Sequence, residues 1–179
     1  MDALLEKARR IRLLVLDVDG VLTDGRLYFG SGGEQLKVFD VRDGYGLVAL
    51  QRAGVAVAII SGRDSEAVRR RAAELGVTRV SQGVQDKAAQ LDSLLEELGV
   101  EPRDVACIGD DIPDLPILRR AGLAIAVADA HPTVQAETHW TTSQPGGRGA
   151  VREACDLLLS ARAGGGAGRS ALPRPWRAR

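Results

Sequence analysis

Two apolar runs in this chain each end in a pair of carboxylates. Ile11-Arg12-Leu13-Leu14-Val15-Leu16 runs into Asp17 and Asp19, and Val105-Ala106-Cys107-Ile108-Gly109 runs into Asp110 and Asp111. Near-continuous Val, Ile and Leu is the pattern of a strand covered on both faces, as in a parallel sheet. In such a sheet, ligands bind at the carboxyl edge of the strands. Carboxylates gathered there repel one another unless a cation joins them, and a hard divalent ion does so with oxygen ligands. The two runs therefore predict a parallel α/β sheet with an Mg2+ site on its carboxyl edge.

The rest of the chain supports that sheet. Residues 55–60 and 123–127 are further strand candidates, with shorter ones at 79–81 and 138–140. Helical periodicity falls between them. Residues 43–53 stop at Gly54, and residues 64–75 start at Asp64, a capping residue, and carry Val68, Ala72 and Leu75 on one stripe. Residues 86–98 start at Asp86, turn Leu91, Leu94, Leu95 and Leu98 inward and stop at Gly99. Residues 149–160 turn Val151, Ala154, Cys155 and Leu158 inward. Alternating strands and helices predict right-handed crossovers and a three-layer, Rossmann-like α/β domain. Residues 25–39 break the pattern. Leu27-Tyr28-Phe29 and Leu36-Lys37-Val38-Phe39 flank a Gly-rich turn, which predicts a β-hairpin projecting above the carboxylate edge. Its apolar residues have little of their own chain to bury against, so a partner subunit is expected to cover them.

Composition sets bounds on function. The 179 residues suit one domain, expected over 1–162, and aromatic residues are only 3%, so aliphatic side chains and Ala must fill the core. The formal charge is zero, from 24 basic and 24 acidic residues, which argues against a dedicated nucleic-acid binder. The stretch 163–179 is Gly- and Pro-rich and holds four Arg without an acid, which predicts a flexible basic tail. Cys107 and Cys155 are expected to be inert buried thiols. The first residues, Met1-Asp2-Ala3-Leu4-Leu5-Glu6-Lys7, lack a signal-peptide core, and no apolar run approaches the ~20 residues needed to span a bilayer. A cytoplasmic protein with no membrane association is expected.

Four motifs stand in order along the chain: Asp17-Val18-Asp19-Gly20-Val21-Leu22-Thr23, Ser61-Gly62-Arg63, Lys87, and Gly109-Asp110-Asp111-Ile112-Pro113-Asp114. Each falls at the end of a strand or the start of a helix. Alone, Ser61 is as readily a turn hydroxyl, Asp114 a helix cap, and Lys87 a solvated first-turn residue, although a cation there opposes the helix dipole. His131 and His139, with no metal-ligand spacing between them, read as structural, and Arg69-Arg70-Arg71 as a solvated face. Together the four motifs resemble those of the haloacid-dehalogenase-like phosphatases. That resemblance implies Asp17 as nucleophile, Asp19 as general acid and base, and Ser61 and Lys87 as holders of the phosphoryl oxygens. It also implies Mg2+ bound by Asp17, the backbone carbonyl of Asp19, and Asp110, with Asp111 and Asp114 behind them.

Further stretches narrow the resemblance. Thr23-Asp24-Gly25, Val41-Arg42-Asp43-Gly44-Tyr45-Gly46, Val127-Ala128-Asp129-Ala130-His131-Pro132 and Gly146-Gly147-Arg148-Gly149-Ala150-Val151-Arg152-Glu153 are similar to the 3-deoxy-D-manno-octulosonate 8-phosphate (Kdo 8-phosphate) phosphatases, over roughly residues 11–160. Such a family implies an acidic sugar phosphate as substrate, no large cap domain, a homotetramer covering the open site, and a place in lipopolysaccharide inner-core synthesis. Arg63, Arg71 and Arg148 are the candidate readers of the sugar carboxylate, since an Arg fork matches that group. The resemblance makes Arg71 the most telling, because phosphatases for nine-carbon sialic-type acids differ near it. A sialic-type 9-phosphate phosphatase and a non-catalytic tetramerising module are the alternatives. The intact Asp17, Asp19, Lys87 and Asp110 speak against the second.

Overall fold

The structure, a computed structural model, describes residues 2–163, so the basic tail from Gly164 onward lies outside the described residues. In chain order the strands are β1 (Leu13–Leu16), β2 (Tyr28–Gly30), β3 (Gly33–Leu36), β4 (Ala56–Ile60), β5 (Arg79–Ser81), β6 (Val105–Gly109), β7 (Leu123–Ala126) and β8 (Trp140–Thr141). The helices are α1 (Asp2–Arg10), α2 (Val41–Arg52), α3 (Glu66–Glu74), α4 (Lys87–Leu98), α5 (Leu115–Leu118), α6 (Pro132–Glu137) and α7 (Ala150–Ala163). Among the described residues, β1 and β4 to β8 form one parallel sheet in the order β5-β4-β1-β6-β7-β8. No helix among them is long and apolar enough to cross a membrane.

The expected three layers follow from burial. All four residues of β1 are fully buried, which requires cover on both faces. α7 packs on both α1 and α2, with α3 beside α2 where Gly44 meets Arg71 and Leu75. Right-handed crossovers put α4, α5 and α6 on the opposite face, where α5 contacts both α4 and α6. With few aromatic residues, the core is Leu, Ile, Val and Ala, and both cysteines are buried within it. The chain between β1 and β4 holds only the hairpin and α2, and no large cap domain is present there.

The hairpin forms as expected. β2 and β3 pair antiparallel apart from the main sheet, with a register shift at Tyr28/Phe29. Its large side chains stay open to solvent: Leu27, Tyr28, Phe29, Leu36 and Val38 are all exposed, Phe29 by 65%.

Some boundaries differ from the sequence expectation. α2 begins two residues early because Asp40 caps it, accepting the Arg42 N–H at 2.7 Å. Asp64 does not cap α3. Its carboxylate pairs with Arg69, and Ser65 takes the cap position with no side-chain cap bond. Asp86 and Gly99 bracket α4 as expected, Gly99 with φ 59°. α1 and α6 were not anticipated; α5 follows Asp114, read from the sequence as a helix cap, which takes the N-cap position with no side-chain cap bond. α1 carries Leu4, Leu5 and Ala8 at helical spacing and lies against α7.

The first turn of α7 is capped from another helix. The buried carboxylate of Asp43, in α2, accepts the N–H groups of Gly149 at 3.3 Å and Arg152 at 2.7 Å. Removing it orphans both amides and unties α7 from α2. Asp43→Ala is therefore expected to lower stability by roughly 1–3 kcal/mol, read as a shift of the urea midpoint. An unchanged midpoint would show that water satisfies these amides equally well.

Candidate active site

The chain turns sharply after β1. The Val18 carbonyl accepts the N–H groups of Val21, Leu22 and Thr23 at 3.2, 2.9 and 3.0 Å. This single turn holds Asp17 and Asp19 at the carboxyl edge of the sheet. Gly20 makes the approach to β6 possible. Its φ is 89°, and a Cβ there would lie 2.0 Å from Oδ2 of Asp110. Gly146 closes the turn from behind, where a Cβ would lie 1.7 Å from the Gly20 carbonyl oxygen. Asp110 is further held by its own carbonyl, which accepts the His131 N–H at 2.7 Å.

Lys87 is the first residue of α4, and its ammonium points back over the sheet edge. Its Nζ donates to Oδ1 of Asp17 at 2.7 Å and to Oδ1 of Asp114 at 2.6 Å. Burial pulls the Lys87 pKa down, but the two carboxylates outweigh it and the net shift is upward. The other oxygen of Asp114 accepts the N–H groups of Asp110 at 3.0 Å and Asp111 at 3.4 Å. Asp114 is thus a buried strut between α4 and the β6 edge.

Carboxylate oxygens of Asp17, Asp110 and Asp114 all lie within 4.8 Å of one another. Three carboxylates against one ammonium leave two negative charges in excess. The consequence is visible in their proton affinities. Burial, then Asp114, raise Asp17 to about 6. Burial, then Asp114, Asp17 and Asp111, raise Asp110 to about 8. A divalent cation supplies the two missing charges, and an all-oxygen donor set suits a hard ion. The residues present therefore fit Mg2+.

Asp19 has its own cationic surroundings. Its Oδ1 accepts from Nζ of Lys37, and its Oδ2 lies 3.6 Å from Nε of Arg63. Oδ2 is buried and makes no hydrogen bond.

The structure gathers Asp17, Asp110, Asp114 and Lys87, and sets Asp19 with Arg63 beside them. Ser61 is buried at the end of β4, the strand next to β1, and its Oγ accepts the Arg63 N–H at 3.4 Å. Asp111 is exposed and caps a 3-10 turn over Ile112–Asp114, accepting the Ile112 N–H at 2.8 Å. Arg148 lies 3.9 Å from Asp24, on the loop after the turn. Arg71 points elsewhere. It pairs with Glu74 at 2.8 Å and lines a groove of about 590 Å³ between α2 and α3, with Val41 and Tyr45. His131 and His139 serve the backbone, their Nδ1 atoms accepting from Thr133 and Ala124.

Lys37 was not anticipated as a site residue. A signal existed in Leu36-Lys37-Val38. Leu36 and Val38 are each 52% exposed, and Lys37, on the opposite phase, is 7% exposed. The alternation reads apolar-out and charge-in, the reverse of an ordinary surface strand.

Comparison with known proteins gives consistent matches. A family model for haloacid dehalogenase-like hydrolases matches residues 41–122. A protein of Escherichia coli strain K12 named 3-deoxy-D-manno-octulosonate 8-phosphate phosphatase is 51% identical over 155 residues, covering 87% of this chain and 82% of that protein. The phosphatase of that name from Moraxella catarrhalis, solved with a magnesium ion, a phosphate ion and Kdo, superposes with a TM-score of 0.89 at 44% identity, over 91% of this chain and 94% of the other. A cobalt-bound counterpart from Haemophilus influenzae gives a TM-score of 0.86 at 42% identity, over 88% and 92%.

The raised carboxyls set a pH dependence. Asp17 and Asp110 bind protons more tightly when folded, at about 6 and about 8, than at the ordinary value of 3.8. Between those values the folded chain carries more protons than the unfolded chain, so stability of the cation-free protein falls as pH rises. A divalent cation displaces those protons and reverses the trend. In EDTA, the unfolding temperature should gain from this site as pH drops from about 8 to about 5, and Mg2+ should raise it most at the alkaline end. An Mg2+ effect of equal size across the range would contradict the arrangement.

Proposed function

Since this chain belongs to the Kdo 8-phosphate phosphatase family of haloacid dehalogenase-like hydrolases, we propose that it hydrolyses Kdo 8-phosphate to Kdo and phosphate, with Asp17 as nucleophile. It is a phosphoric monoester hydrolase, and its cofactor is Mg2+. The observation that carries the residue roles is the convergence of Asp17, Asp110 and Asp114 within 4.8 Å, with Lys87 bonded to two of them.

Asp17, the Asp19 carbonyl and Asp110 would hold the cation, with Asp114 within reach of it. Once bound, Mg2+ neutralises charge on the phosphoryl group. The chain's own residues then divide the reaction into two displacements. A carboxylate oxygen of Asp17 attacks phosphorus, and the bond from phosphorus to the sugar oxygen breaks. Asp19 gives its proton to that departing oxygen. The Asp19 carboxylate next takes a proton from water as the water oxygen bonds to phosphorus, and Asp17 is released. Lys87 and Ser61 hold the non-bridging oxygens through both steps and stabilise the added charge. The Lys87 ammonium is already fixed by Asp17 and Asp114, so little reorganisation is needed.

Arg63, beside Asp19, and Arg148, beside Asp24, stand at the mouth of the site as readers of the sugar acid. Arg71, turned into the α2–α3 groove, reads a substrate only from outside its own carboxylate cluster. A homotetramer would allow that arrangement, and the exposed apolar side chains of the hairpin offer a surface for a neighbouring subunit. The reaction belongs, on this reading, to lipopolysaccharide inner-core sugar synthesis in the cytoplasm. On the same reading, residues 1–162 are the phosphatase domain and residues 163–179 a basic tail in sequence.

Phosphate release from a panel of sugar phosphates, with Mg2+ or with chelator, tests the reading. Kdo 8-phosphate should be the preferred substrate, above a sialic-type 9-phosphate, with activity lost in chelator. Asp17→Asn should reduce turnover by at least about four orders of magnitude with the fold intact, as loss of a nucleophile does in other hydrolases. Retained turnover would exclude Asp17. Arg71→Ala should raise KM for Kdo 8-phosphate by about tenfold or more, the effect of losing a charged hydrogen bond. An unchanged KM would remove Arg71 from substrate recognition.

A further inference from the structure

Lys37 occupies an unusual place. It sits just beyond β3, on a hairpin whose Leu27, Tyr28, Phe29, Leu36 and Val38 face solvent, yet only 1% of its side chain is exposed. An ammonium withdrawn from water is costly unless paired. One partner is Oδ1 of Asp19, eighteen residues earlier and across the opening of the site. The same carboxylate leaves Oδ2 buried without a hydrogen bond, with Arg63 Nε at 3.6 Å. Buried polar atoms are rarely left so, and such an atom calls for a reason.

We propose that Lys37 is a positioning residue for the acid–base step, holding Oδ1 of Asp19 so that Oδ2 is the oxygen that carries the proton. This rests on the reading of Asp19 as acid and base given above. A carboxylate at the end of a two-bond side chain, next to a glycine, needs an outside contact to fix its rotation. Lys37 supplies one from the hairpin. Oδ2 then gives its proton to the sugar oxygen as the bonding pair between that oxygen and phosphorus moves onto oxygen. It takes a proton back from water as the water oxygen bonds phosphorus and the Asp17 oxygen leaves. The inverted pattern of the hairpin follows: Leu36 and Val38 face outward, and the lysine between them faces the chemistry.

The test uses the full chain with Mg2+ and two substrates. Kdo 8-phosphate has an alkoxide leaving group that needs a proton. p-Nitrophenyl phosphate has a leaving group stable as an anion. General acid catalysis contributes about 10²- to 10⁴-fold, so Lys37→Met should lower kcat on the sugar phosphate by at least about tenfold and on the aryl phosphate distinctly less, with little change in KM. Lys37→Arg should recover part of the loss. In an Asp19→Asn background, Lys37→Met should cost almost nothing further, because the two act as one unit. Thermal unfolding of each variant separates this from a loss of folded protein, and Lys37→Gln provides a second neutral variant should Lys37→Met not fold. Equal losses on both substrates, or a full additional loss on top of Asp19→Asn, would overturn the assignment. An active wild type with an unaffected Lys37→Met would overturn this inference alone. A wild type inactive on both substrates would overturn the phosphatase reading and this inference with it.

Discussion

The organising constraint of this molecule is an unbalanced charge. Asp17, Asp110 and Asp114 are held with their oxygens within 4.8 Å of one another, and among the described residues the Lys87 ammonium is bonded to two of them. Such a cluster is unfavourable on its own, and the upward shifts of Asp17 and Asp110 express the repulsion and the burial together. The fold tolerates it because the large core of the sheet and its helices holds the strand ends in place. What relieves the imbalance is a doubly charged ion, followed by a phosphoryl group that shares it. Structure and chemistry are therefore linked: the same repulsion that weakens the empty site makes it a receptor for cation and substrate.

The surrounding architecture serves this cluster. β1 and β6 are adjacent and parallel, so their carboxyl ends bring Asp17 and Asp110 together. Gly20 and Gly146 remove the side chains that would keep the loops apart. Lys87 arrives from the start of α4, on the crossover from β5 to β6, and Asp114 locks it in place. The hairpin adds a fourth direction of approach through Lys37 and Asp19. The open face left by the absence of a large cap is bordered by exposed aromatic and aliphatic side chains.

Much of this was legible in the chain itself. Strands buried on both faces leave near-continuous apolar runs, so β1, β4, β6 and β7 were readable, and the residues following them marked the ligand edge. Asp86 and Gly99 gave α4 its limits because each has a specific capping chemistry. What failed was what depends on tertiary context. Asp64 has the composition of a cap, but Arg69 competes for its carboxylate. α1 was missed though Leu4, Leu5 and Ala8 are spaced for it. Asp114 could be read as a cap or as an outer group, and only the fold shows it bonded to Lys87. The direction Arg71 takes was likewise not legible: its partner within the chain is Glu74, in the groove between α2 and α3. Lys37 was hidden because a lysine on a hairpin is ordinarily solvated, and the acceptor on Asp19 becomes visible only in the fold.

The central claim is that Asp17 receives the phosphoryl group beside the cation. The most direct measurement is a crystal structure of the protein with Mg2+ and beryllium fluoride, a mimic of a phosphorylated carboxylate. Beryllium should be bonded to an oxygen of Asp17, with a fluorine facing Lys87 and Mg2+ between Asp17 and Asp110. Fluoroberyllate bonded to a different residue, or Mg2+ bound away from these carboxylates, would contradict it.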